Sequence, residues 1–259
     1  MANYYFVGTL LPELRIGEKP EISFRDFEQL VKDNLSVKDI ARIRMIRNFY
    51  DIYNLRAYWR GEPFDYLGTL DYNEMEEALV TRSVLPSYIF QYLDKYESKE
   101  ERLRHFSELR SRFFHEEVRR SSGILREYLI TELEIRLVLV AFRAKLLGRD
   151  IFAELQYEDP ENDFIAQIFA QKDSSQFEPP EKYEDLKVLF TQYVDDPLAL
   201  QKALLEYRFN KIGEILGQDL FSSERIFGYM LQLIMVERWN KLDKQKGLEI
   251  VDSMLKEAS

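Results

Sequence analysis

The chain has 259 residues, 46% of them hydrophobic, with only 10 Gly and 8 Pro; this suits helices and allows one large domain or two ordinary ones. Its net charge of -10 argues against nucleic-acid binding, because an acidic surface repels phosphate backbones. It has no Cys, which removes disulfides and thiolate nucleophiles and points to a reducing compartment.

In chain order, the first residues carry no basic leader, and their apolar run soon meets Pro12 and Glu13, so no signal peptide is expected. Ser23 is placed to cap a helix through about Leu35. Ser36 and Asp39 resemble a capping box, with Asp in place of Glu or Gln, that opens a helix to about Arg60. Its apolar positions Ile40, Ile43, Ile46, Phe49 or Tyr50 and Tyr53 recur every three or four residues. Gly61 and Pro63 then stop it. Helices are predicted from Glu74 to Arg82, from Pro86 to Tyr96, and from the Ser98 box to about Arg120. Ser121-Ser122-Gly123 interrupts the pattern, and the next helix runs from Ile124 to Leu147 and ends at Gly148. Leu137 to Val140 alone could form a strand; the charged flanks favour a buried helix. Asp173 to Pro180 is the best linker candidate. Helices follow over Tyr183–Tyr193, from Asp196-Pro197 to about Leu216, and from Ser222 onward. No apolar stretch approaches the ~20 residues of a bilayer crossing. The fold class is all-α.

Three helix ends look alike. Arg56-Ala57 precedes Gly61, and Arg143-Ala144 precedes Gly148, both as Arg-Ala-x-x-x-Gly. In the third, Glu237 and Asn240 repeat the three-residue spacing of Asp51 and Asn54, and Gly247 follows Asn240 as Gly61 follows Asn54. This suggests about three degenerate helical repeats, over 1–70, 71–155 and 156–259, in one continuous body. Each acid shares a helix face with its Asn. The pairs are either contacts for a partner or buried polar crosslinks between repeat helices, and the second is favoured because buried polar groups need hydrogen bonds.

Other chemistry is thin. His105 and His115 lack metal spacing and read as a solvated helix face. No phosphate loop or nucleophile elbow exists. Catalytic, metal and cofactor residues are therefore none. Arg102, Arg104, Arg110, Arg112, Arg119 and Arg120 interleave with Glu101, Glu108, Glu116 and Glu117, as in a salt-bridged exposed face. Glu132 and Arg136 are spaced for a helix ion pair.

The helix ends resemble the C subunit of V-type ATPases (the AC39 family), at Asp51, Asn54, Arg56 and Ala57, at Arg143 and Ala144, and at Glu237 and Asn240. The second copy departs from it, with Val138 and Ala141 in place of the acid and Asn. The opening, Asn3 to Val7 and Leu10 to Leu14, resembles more closely a bacterial family of unknown function, number 2764, whose members are encoded among V-type ATPase subunits. The resemblance implies a non-catalytic socket between the central stalk and the membrane proteolipid ring. It would be cytoplasmic, peripheral at the inner membrane face, and stiff because close-packed helices compress little. A free-standing helical adaptor is the main alternative and a helical-bundle enzyme a remote one.

Overall fold

The computed structural model describes residues 4–216 and 222–257, with side chains described to residue 242. The elements in it are thirteen α-helices and one 3-10 turn, with no strand among them. They fall into two compact units: residues 37–177, and a second that joins 1–36 to 178–259. The units are drawn differently from the consecutive stretches 1–70, 71–155 and 156–259.

The second unit begins with α1 (Tyr5–Leu10) and α2 (Phe24–Asn34). Ser23 and Asp26 form a reciprocal capping box at the start of α2. The apolar stripe of α2, Phe24, Phe27 and Val31, is buried. It faces the long C-terminal helix α13 (Ser223–Glu257), where the Phe27 and Tyr229 rings lie 5.6 Å apart. Alongside run α11 (Glu184–Tyr193), preceded by a 3-10 turn at Glu181–Tyr183, and α12 (Pro197–Ile215), capped by the Asp196 carboxylate. The helix α13 is buried over Leu231 and Leu233–Val236. Gly247 was expected to end it, but the helix continues to Glu257, with no proline in the stretch to break it.

The 37–177 unit is built on two long helices, α3 (Val37–Arg60) and α8 (Ile124–Leu146), each packed on α7 (Phe106–Arg120). Phe49 of α3 meets Phe113 and Phe114 of α7 at 5.4 and 5.9 Å between centroids. Leu137, Val138 and Leu139 are buried within α8, so the ambiguous apolar run is helical. Shorter helices complete the unit: α4 (Tyr72–Thr81), α5 (Ser87–Lys95), α6 (Lys99–Arg104), α9 (Ile151–Glu154) and α10 (Asp163–Phe169). The helix predicted from Ser98 to Arg120 breaks at His105, where α6 ends and α7 begins. No described helix is long and apolar enough to cross a membrane.

Candidate functional site

The two Arg-Ala-x-x-x-Gly segments fold into the same helix cap. At the end of α3, Gly61 sits at φ +68°, its N–H donates to Tyr58 O, and Glu62 N–H donates to Ala57 O. At the end of α8, Gly148 sits at φ +62°, its N–H donates to Lys145 O, and Arg149 N–H donates to Ala144 O. Both chains close on a left-handed glycine through the same pair of bonds, and the motif alanine accepts the longer-range one. The shared sequence is thus a capping signal. The two arginines diverge: Arg56 reaches the neighbouring helix, 5.3 Å over the Phe106 ring, while Arg143 is exposed.

The acid–Asn pairs hold backbone of neighbouring segments. Asp51 and Asn54 are each only 1% exposed on α3. Asp51 Oδ1 accepts from Thr69 N–H (2.7 Å) and Leu70 N–H (3.3 Å), and Oδ2 from the Thr69 hydroxyl (2.7 Å). Asn54 Oδ1 accepts from Asp65 N–H (2.7 Å), and its amide donates to Asp65 O (2.9 Å). Arg47 Nε donates to Leu67 O at 2.8 Å. The loop between α3 and α4 is therefore tied to α3 backbone atom by backbone atom. Gly68 is needed there: a Cβ would lie 2.8 Å from Asp51 Oδ1 and closer still to Asn54 Nδ2. Burial raises the Asp51 carboxyl above its ordinary pKa, although the bonds from Thr69 and Leu70 oppose the shift.

Glu237 and Asn240 do the same work in the other unit. Glu237 Oε1 accepts from Phe24 N–H at 2.7 Å, one of the donors that the first turn of α2 leaves open. The Asn240 amide donates to Glu18 O at 3.1 Å. In both pairs the acid takes N–H groups at or just before the start of a helix, and the Asn takes a carbonyl upstream. Glu237 joins α13 to α2, the crosslink between helices that was expected, whereas Asp51, Asn54 and Asn240 are staples from helix to loop. The signature residues do not converge on one centre within either unit.

Sequence reasoning missed several buried acids. Glu158, after α9, accepts from Arg136 of α8 and meets His115 Nε2 of α7 at 3.2 Å. Burial alone would raise its carboxyl, but His115 and Arg136 outweigh this and hold it below the usual range. Arg136 was expected to pair with Glu132; its bond to Glu158 spans 22 positions of sequence, which helix spacing cannot reveal. His105 was read as solvated. It stacks on Tyr96 at 4.6 Å and bonds the Tyr157 hydroxyl at 2.7 Å. His115 is exposed as expected, yet tied to Glu158. Glu108 is buried under Lys95, Arg112 and the Tyr96 hydroxyl (2.6 Å), and Glu117 lies 3.1 Å from the Tyr88 hydroxyl. Of the basic run, Arg112, Arg119 and Arg120 form the expected ion pairs, whereas Arg102 donates to the backbone carbonyl of Tyr96, and Glu108 and Glu117 are buried. Each of these carboxylates is held by donors from a neighbouring helix or loop, which suits fixing a body. No cluster of three or more metal-ligating side chains occurs among the described residues.

The profile of a protein family described as "Protein of unknown function (DUF2764)" matches residues 1–258. Among similar proteins, an uncharacterized protein of Chlamydia muridarum is 28% identical over 262 residues, covering 99% of this chain and 98% of its own. An uncharacterized protein of Chlamydia trachomatis serovar D is likewise 28% identical, over 263 residues, with the same coverage of both chains. No solved structure matches the chain.

Proposed function

The chain belongs to the DUF2764 family, and from that premise we propose that it is a non-catalytic structural part of a V-type rotary ATPase, a socket between the central stalk and the membrane proteolipid ring. The observation that carries the reading is the use of the acid–Asn signature. Both pairs spend their hydrogen-bonding capacity on fixing backbone within a helical body. A torque-bearing part needs loops that do not yield, and close-packed helices with stapled connections resist deformation. The sequence resemblance supplies the assembly, and the protein would sit on the cytoplasmic face without crossing the bilayer.

Removing the gene tests this. ATP-driven ion flux across the membrane should fall while ATP hydrolysis by the detached soluble head is unchanged, and the tagged protein should co-purify with stalk and ring subunits. Unchanged coupling refutes the reading. Recovery with a different, consistent set of proteins would identify an adaptor of another assembly.

A further inference from the structure

Residues 61–81 hold six acids and no base, in a chain whose whole net charge is -10. The bases at either edge are already engaged: Arg60 with Glu62 at 2.9 Å, and Arg82 with both oxygens of Asp94 at 2.8 and 2.7 Å. The same segment exposes large side chains. Tyr66 is 46% exposed, Tyr72 52% and Val80 79%. Tyr72, Glu76 and Val80 follow one another at four-residue steps along α4, so they form one stripe, with the exposed Glu77 beside it. Tyr72 is backed by Tyr58 and Phe64, at 5.2 and 5.6 Å between ring centroids.

The loop that leads into this stripe is held by the Asp51–Asn54–Arg47 staple, through Asp65, Leu67, Thr69 and Leu70. Burying a carboxylate to hold a surface loop is a costly way to close a turn that apolar packing could close. Its product is a fixed backbone beneath exposed aromatic and acidic groups. Side chains held in place lose little entropy when a partner arrives, and tyrosines rimmed by charge are typical of interface centres.

We infer that the loop after α3 and the outer stripe of α4 form a docking surface for a basic amphipathic helix of a protein partner. Apolar residues of that helix would lie on Tyr72 and Val80, and its Lys or Arg side chains would face Glu76 and Glu77. The uniform negative charge selects against an anionic membrane and against nucleic acid. The inference rests on the rotary-ATPase reading only for where the partner is sought; the partner's chemistry is read from the surface.

The test uses the full chain in cells. A benzophenone amino acid replaces Tyr72, and Val188, an exposed position in the other unit, serves as the control. The Tyr72 adduct should map to a protein segment whose Lys or Arg residues recur every three or four positions. Its yield should drop by roughly tenfold in the Glu76→Lys/Glu77→Lys variant, since like charges across an interface are costly. Glu77→Lys alone should lower it less, and circular dichroism should show unchanged helix content in both. Adducts with lipid, adducts with a segment lacking bases, or yields indifferent to charge reversal overturn the inference. The two proposals fail separately. A basic helix from a protein outside any ATPase sinks the rotary reading and leaves this surface standing. Co-purification with stalk and ring that survives charge reversal, with no Tyr72 adduct, does the reverse.

Discussion

The helix ends at Gly61 and Gly148 carry the same capping sequence and the same cap, yet the chain beyond each is held by opposite means. After α3, the acid sits on the helix and the loop offers backbone N–H groups: Asp51 takes Thr69 and Leu70, and Asn54 takes Asp65. After α8, the two matching positions are Val138 and Ala141, both fully buried and apolar. The chain there turns at once into α9, which buries Ile151 and is followed by the buried Leu155; the acid is on the loop, as Glu158, and its partners are on the helices, as His115 and Arg136. An exposed-backbone loop needs side-chain partners for its N–H groups, whereas a helix satisfies its own and can be held by apolar burial. The Asp51–Asn54 pair therefore accompanies the loop after α3, and its absence after α8 accompanies the helix.

Exchanging the two solutions should break each of them. Val138→Asp would put an acid where no loop N–H waits, and the uncompensated buried charge should cost about 4 kcal/mol in urea unfolding. Tolerance of this change would mean that the α8 end can recruit donors. Removing the polar solution, as Asp51→Ala, strands two N–H groups and a hydroxyl and should cost about 3 kcal/mol. Gly68→Ala attacks the same staple from the loop side and should cost about 2 kcal/mol, with faster amide exchange at Thr69 and Leu70. The caps, in contrast, should respond alike. Gly61→Ala and Gly148→Ala meet nothing within 4 Å, so each should lose only the left-handed strain of about 1 kcal/mol. A clear inequality would show that one cap carries a further role.

The smallest effect is in the pH profile, and it has opposite signs at the two ends. Asp51 is raised in the fold, so its share of stability is greatest when protonated and declines as pH rises from the ordinary Asp range, near 4, through its raised value. Glu158 is lowered, so its share is present above the ordinary Glu range and is lost as pH falls through its depressed value. Asp51→Asn should therefore steepen the loss of stability on acidification. Glu158→Gln should flatten the acid limb while lowering stability at neutral pH, because Arg136 loses its counter-charge. Urea midpoints from pH 7 to pH 3 would check both.

Much of this was readable in the chain. Capping residues Ser23, Ser98, Asp196 and Gly148 mark helix ends because caps are local chemistry, set by side chains within a few positions of the groups they satisfy. The break at His105 was not readable, since the charged pattern runs across it without Gly or Pro. Gly247 misled for the opposite reason, since a glycine inside a long helix costs little enough to be carried.

Sequence alone determined that the protein is helical, where most helices start, and which residues could cap them, because each of these follows from neighbours along the chain. Only the tertiary structure decided that Asp51 binds loop backbone, that Glu237 meets the start of α2, that Arg136 meets Glu158, and that α1 and α2 pack with α13. Those pairings join residues far apart in sequence. They are chosen by which apolar faces must be buried together and which buried donors then need an acceptor, conditions that spacing along one helix does not encode.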